Sequence, residues 1–397
     1  MWLDELQLTD FRGFRHLKLD LRRPLTVVIG VNGAGKSSLV RAIEIGASQV
    51  EHAVFATPEA LEPAEHDVRV GQQGCQIELT FDGLQVRVRR TLTGRVERHP
   101  ESLPEGTPLA TCIVLKSDRA VLKLPPQYYP DGSSLPRRGC TLFEACEVWF
   151  KVREDLENQE RVRSKRLDHV DPGLELARRA ISAMLPGYSD PHIDRSRPLG
   201  STTSQLVLTK GGQELTADML SEGELSQLVL AMTIAERLSP LDPSTVSSEH
   251  AATVVIDEIE LHLHPRWQRD VVSALLRAFP NCQFIVTTHS PQVIGSVPRE
   301  SIVVLDDFAV YDAPAPTEGR DSNAILEEIM DVRERDEASQ AELDEIAGLI
   351  DRDEIQPART AIDELAARWG EDDREVVRLR TALQFREIYD ADDSQDP

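Results

Sequence analysis

Gly30-Val31-Asn32-Gly33-Ala34-Gly35-Lys36-Ser37 follows directly on the apolar run Leu25-Thr26-Val27-Val28-Ile29. Gly30, Gly35, Lys36 and Ser37 stand at the spacing of a Walker A phosphate loop, set between a strand and a helix. Glycines there let backbone N–H groups curl around an oligophosphate. Lys36 can reach the β and γ phosphates, and the Ser37 hydroxyl can ligate Mg²⁺. The stretch fixes the ligand class and predicts further parts at set places downstream.

Those parts are present. Thr253-Val254-Val255-Ile256-Asp257-Glu258 reads as a buried parallel strand that delivers two carboxylates at its C-terminal end, where ligands sit in open α/β sheets. Asp257 is expected to hold Mg²⁺ with Ser37, and Glu258 to orient and deprotonate the attacking water. Leu220-Ser221-Glu222-Gly223-Glu224 offers a hydroxyl, backbone N–H groups and a helix N-terminus to a phosphate. Phe284-Ile285-Val286-Thr287-Thr288-His289-Ser290 is another buried strand, ending in a histidine able to touch a γ phosphate. Taken singly, these segments are an acidic turn, a helix cap and a structural histidine. Their order beside a phosphate loop reverses that weighing.

This order resembles that of ABC-type ATPases. Within the class the chain resembles the SMC/RecF/OLD branch rather than transporter ATPases. The residues that carry this are Leu6-Gln7-Leu8-Thr9-Asp10-Phe11-Arg12-Gly13-Phe14, Ile259-Glu260-Leu261-His262-Leu263-His264-Pro265 and Thr288-His289-Ser290-Pro291-Gln292. More narrowly it is similar to the PtuA-like ATPases of Septu anti-phage systems, also found with some retrons. The marks are Trp149-Phe150, Arg153-Glu154-Asp155-Leu156-Glu157-Asn158 and Gly319-Arg320-Asp321-Ser322-Asn323.

The resemblance implies an α/β ABC ATPase head, a P-loop NTPase fold with a mixed sheet. It implies ATP held by Gly30, Asn32, Gly33, Ala34, Gly35, Lys36, Ser37 and Ser38, with Arg12 nearby and His289 in the catalytic group. Ser221, Gly223 and Glu224 would contact ATP bound to the other protomer of a head-to-tail dimer. Glu222 and Glu224 depart from the transporter Ser-Gly-Gly-Gln signature but suit this branch. The implied partner is an HNH-type effector nuclease, PtuB-like, with DNA as a further ligand. The glutamine that senses Mg²⁺ and water has two candidates, Gln127 and Gln159, neither with clear context. Two alternatives stand: a RecF-like DNA-repair ATPase, and a module that binds ATP without hydrolysing it.

Elsewhere the pattern sets bounds. No stretch of about 18 apolar residues exists, so no membrane span is expected, and the acidic start Met1-Trp2-Leu3-Asp4-Glu5 is wrong for a signal peptide. Five scattered cysteines without a CxxC pair read as free thiols in a reducing cytoplasm. The net charge is −24, and residues 301–397 hold 28 Asp+Glu against 10 Lys+Arg, an acidic tail on a nearly balanced body. The expected domains are a head over 1–312, with a helical lobe at about 141–200, and an acidic α-helical region over 317–397. No sustained heptad pattern predicts a coiled-coil arm. Arg87, Arg89, Arg90, Arg95 and Arg98 form a basic hairpin, and Lys151 to Arg166 a basic helix diluted by acids. Either can meet a nucleic-acid backbone or simply be a solvated face. His262, His264 and His289 suggest a metal site less than a loop crossing to a partner's nucleotide. Asp351-Arg352-Asp353-Glu354 suggests a nuclease site less than a helix–helix turn, and Asp321 reads as a helix cap.

Overall fold

The computed structural model describes residues 2–55, 60–91, 93–100, 112–116, 127–128, 134–135, 141–196, 205–239, 251–330 and 336–393. The chain divides into two compact units, Met1–Met330 and Asp331–Pro397.

The first unit opens with β1 (Leu3–Phe11), β2 (Phe14–Asp20), β3 (Leu25–Ile29) and helix α1 (Lys36–Phe55). There follow β4 (Cys75–Phe81), β5 (Leu84–Arg90), β6 (Val96–His99), β7 (Cys112–Leu115) and a short pair, β8 (Gln127–Tyr128) and β9 (Ser134–Leu135). Helices α2 (Leu142–Ser164) and α3 (Pro172–Met184) lead to β10 (Tyr188–Ile193), β11 (Leu206–Lys210), β12 (Gln213–Thr216) and helix α4 (Glu222–Leu238). Next are β13 (Thr253–Ile256), α5 (Pro265–Ala278), β14 (Gln283–Thr287), α6 (Pro291–Ile294), β15 (Ile302–Asp306), β16 (Ala309–Asp312) and α7 (Ser322–Glu328).

The central sheet has the order β16-β15-β3-β14-β13-β7 and is parallel except at β16. Every residue of β3, β13 and β14 is buried, as expected of parallel strands covered on both faces. Successive residues point to opposite faces, so one strand feeds two cores. Val27, Val254 and Phe284 join the side of α3, α4 and α5, while Val28, Val255 and Ile285 join the side of α1 and the five-stranded antiparallel sheet β2-β1-β4-β5-β6. No described helix is long and apolar enough to cross a membrane.

Two expected boundaries are corrected. The lobe at 141–200 is not helical throughout, because Tyr188–Ile193 pairs with Leu206–Lys210 as the first two strands of a three-stranded sheet. The head does not end at 312, because Ala313, Ile325 and Ile329 are buried in its main core, carrying α7 with it. Asp321 caps α7, accepting from the N–H groups of Asn323 and Ala324.

The second unit contains α8 (Glu337–Asp351), α9 (Ile355–Trp369) and α10 (Arg374–Asp393). Leu343, Ile346, Ile350, Ile362, Leu365, Val376, Leu379 and Leu383 form its own core. Arg352 and Glu354 flank the α8–α9 turn, which is a connection between helices and not an acid pair at strand ends.

The basic segments are neutralised in part. Arg87 pairs with Glu78 and Arg98 with Glu62; on α2, Arg153 pairs with Asp171, Arg161 with Glu157 and Arg163 with Glu160. The stretch from Trp149 to Glu157 serves the interior: Trp149, Phe150, Arg153, Glu154 and Glu157 are buried, and Arg153 donates to the Ser239 carbonyl at the end of α4. Cys75, Cys112, Cys146 and Cys282 are buried free thiols, while Cys140, Thr111 and the segment 101–110 lie outside the described residues.

Candidate nucleotide site

The order β3-β14-β13 determines the site. The phosphate loop follows β3, Asp257 and Glu258 follow β13, and His289 follows β14, so three neighbouring parallel strands deliver all of them to one edge of one sheet. Gly35 has φ +110°, and a Cβ there would come within 2.7 Å of the Phe14 ring and 2.9 Å of the Phe308 ring. Both the conformation and the crowding exclude a side chain.

Lys36 is 6% exposed, and its Nζ donates to the carbonyls of Gly30 at 2.8 Å and Val31 at 3.0 Å. It forms no ion pair among the described residues. Burial pulls its pKa down, and Asp257, Glu258 and Glu260 act against that. A cation buried without a counter-ion inside a loop of N–H groups suits an oligophosphate. Ser37 is exposed and Asn32 and Gly33 lie at the open rim, while Ala34 is buried beneath them.

Asp257 is 5% exposed, and its Oδ1 accepts from the Thr287 hydroxyl at 2.6 Å. The same Thr287 oxygen accepts from the Glu258 N–H at 2.8 Å. One threonine at the end of β14 thus sets both acids of β13. Glu258 has φ +51°, a left-handed conformation that a glutamate adopts only when its surroundings impose it. Among the described residues no group of three or more His, Cys, Asp or Glu could hold a metal by itself. The donors here, one carboxylate and one hydroxyl, are hard oxygens, which fit Mg²⁺ completed by phosphate and water oxygens.

His289 is half-buried. Burial, reinforced by the Lys36 charge, holds its imidazole below the ordinary range despite Glu260, Glu258 and Asp257. Both effects favour the neutral imidazole. Its backbone N–H donates to Glu260 Oε1 at 2.5 Å.

Arg12 sits beside the loop. Its Nε donates to buried Asp67 at 2.8 Å and its guanidinium reaches Ser38 Oγ at 3.5 Å. Arg12, Gly13, Arg69, Val70, Asp307 and Phe308 line a concavity of about 440 Å³ next to it. Asp67, Arg69, Thr287, Glu260 and Phe308 were given no role from the sequence. Thr287 and Glu260 lie in segments already recognised, but the others gain their places only through pairing: Phe308 packs edge-on to Phe14 with ring centroids 5.2 Å apart.

Ser221 caps α4 in a reciprocal box with Glu224. Glu224 also accepts from the Tyr188 hydroxyl at 2.7 Å and from Lys210 Nζ at 2.9 Å. Burial alone would raise its pKa, but the hydrogen bonds from Lys210, Tyr188 and Ser221 prevail and hold it at about 2. Its carboxylate is thus engaged within its own chain, where it orients Ser221. A Cβ on Gly223 would come within 2.8 Å of the His262 carbonyl, so this glycine lets α4 approach the loop after Glu258. Ser221, Gly223, His262, His264, Arg266 and Trp267 share a concavity of about 750 Å³, and no phosphate-loop residue lines it. Gln159 is exposed on α2 with no link to either site, and the Gln127 side chain lies outside the described residues.

Comparisons with known proteins bear on the family and the fold. Residues 137–295 match a family model described as "AAA domain, putative AbiEii toxin, Type IV TA system", and residues 5–105 match one described as "AAA domain". The "Retron Ec83 probable ATPase" of Escherichia coli is 24% identical, covering 99% of this chain and 88% of its own length. The "Septu protein PtuA" of Bacillus thuringiensis is 22% identical over 84% of this chain and 85% of its own. Among solved structures, an SMC head bound to the C-terminal winged-helix domain of ScpA superposes with a TM-score of 0.50 at 14% identity, over 78% of this chain and 96% of that one.

Proposed function

We propose, from the premise that this chain is an ABC-type ATPase of the SMC/RecF/OLD branch, that ATP draws two copies together head to tail and that this pairing controls a partner effector nuclease in defence against phage. The observation that carries the catalytic part is the β3-β14-β13 adjacency, which gathers Lys36, Asp257, Glu258 and His289 at one sheet edge. The pairing is supported by the concavity at Ser221 and Gly223, which shares no wall with the chain's own phosphate loop. The defence role rests on relatives named for retron and Septu systems. An HNH-type nuclease, PtuB-like, is the effector that the family resemblance implies.

In this reading the loop N–H groups and Lys36 bind the phosphates, with Arg12 and Ser38 on the nucleoside side. Ser37 and Asp257 would hold Mg²⁺, which when bound neutralises charge on the phosphate oxygens. Glu258 takes a proton from the attacking water, and neutral His289 donates a hydrogen bond toward the terminal phosphate. From the partner copy, Ser221 and the α4 N-terminus complete the phosphate's surroundings. Glu224 keeps Ser221 in place.

Turnover tests the assignment. Glu258→Gln should bind ATP with a Kd near that of the parent chain and lose ~10²-fold or more in kcat, as removal of a general base does. Lys36→Ala should weaken binding itself. Hydrolysis by Glu258→Gln at the parental rate would show the base to be misassigned.

A second reading, a RecF-like ATPase acting on DNA, is favoured by one observation. Arg15, Arg69 and Arg89 form no ion pair among the described residues, in a chain of net charge −24. Stimulation of turnover by duplex DNA without any partner protein would support it.

A further inference from the structure

Glu260 lies beyond the residues that ATP chemistry of this kind requires, yet it is built into the site. Its Oε1 accepts the backbone N–H of His289 at 2.5 Å across two strands' ends. Its Oε2 is buried and has no hydrogen-bond partner among the described residues. Its charge acts on Lys36 and on His289 alike. A carboxylate kept for stability is expected to have both oxygens satisfied, because an unpartnered buried oxygen is a cost. This one is retained at a cost, at the joint between the loop after β13 and the loop after β14. Its neighbours are themselves constrained: Glu258 at φ +51° and His262 at φ +63° bracket it in the chain.

We propose that Glu260 is the positioning residue for His289, fixing that loop through its main chain so that the imidazole meets the terminal phosphate. The inference rests on the reading of His289 as part of the catalytic group. A hydrogen bond at the histidine's own N–H sets where its Cα lies, and displacement by about 1 Å can lower a rate ~10²-fold. The carboxylate does this without touching the nucleotide, so it alters kcat and leaves binding alone.

The test combines Glu260→Ala, Glu260→Asp, Glu260→Gln and His289→Ala, each measured for nucleotide Kd, kcat and thermal midpoint. Glu260→Ala and Glu260→Asp, the second too short to reach the N–H, should lower kcat ~10–100-fold with Kd unchanged within about twofold. Glu260→Gln keeps an acceptor at that place and should recover turnover to within about threefold of the parent. No variant should lower the thermal midpoint, which a purely structural role would do. Adding Glu260→Ala, or Glu260→Asp if the first does not fold, to His289→Ala should cost nothing further. Losses that multiply in the double variant would overturn the proposal. So would parental turnover in Glu260→Asp. Parental turnover in His289→Ala alone would instead remove the reading of His289 on which the proposal stands.

Discussion

Single residues here often hold other residues rather than the ligand. Glu224 lies in the signature segment, where the sequence points to nucleotide contact, yet its carboxylate is engaged by Ser221, Tyr188 and Lys210. That difference has a measurable sign. Its folded pKa, about 2, lies below the ordinary 4.5, so the stabilisation it brings is fully present above pH 4.5 and is lost as pH falls toward 2. Glu224→Gln should therefore be less stable than the parent at pH 7, with the gap in urea midpoint narrowing steadily below pH 4.5. A gap that stays constant from pH 7 to pH 3 would mean that the network does not hold the charged form. Asp257 and Glu258 stand out in the sequence as candidate site acids by type and position alone, since they end an apolar run. Their geometry does not, because Thr287 reaches them from a strand 30 residues away in sequence from Asp257.

At the scale of elements, periodicity located the segments well and assigned their partners poorly. The apolar stripes of 338–350, 356–369 and 372–388 suggest a surface for docking, either to a basic protein or to the head. In the structure Ile346, Ile350, Leu365, Val376, Leu379 and Leu383 are spent on one another within the second unit. A helix pattern reports that a face is buried, not against what. The element before them shows the converse: α7 looks like part of the tail, but Ile325 and Ile329 belong to the core of the first unit. A truncation after Asp312 would thus cut into the head, and the informative cut is after Met330. The resulting 1–330 chain should remain soluble and hydrolyse ATP within about threefold of the parent. If docking uses the acidic outer faces of α8–α10 and exposed Phe385, it should lose retention of its effector. Full-strength pull-down of the partner by 1–330 would place docking elsewhere.

Over the whole molecule, the sequence carried the head's α/β class because three motifs mark the ends of neighbouring strands and a fourth opens a helix, and strand ends are where such sheets bind ligands. It could not carry the order of those strands, nor the three-stranded sheet at β10–β12, because register is written in pairings and not in runs. The charge distribution was legible and is a property of the tail, while several arginines of the body, Arg87, Arg153 and Arg161 among them, are paired internally. What joins these levels is a phosphate loop and a signature helix whose concavity, among the described residues, is lined by no phosphate-loop residue. On the proposed reading a single copy has two half-sites, and ATP would be the ligand that couples them. Sedimentation velocity of Glu258→Gln with and without saturating ATP tests this most directly. The account predicts a nucleotide-dependent shift to a dimer or larger, held by ATP that is bound and not hydrolysed. An unchanged monomer at saturating ATP would contradict it.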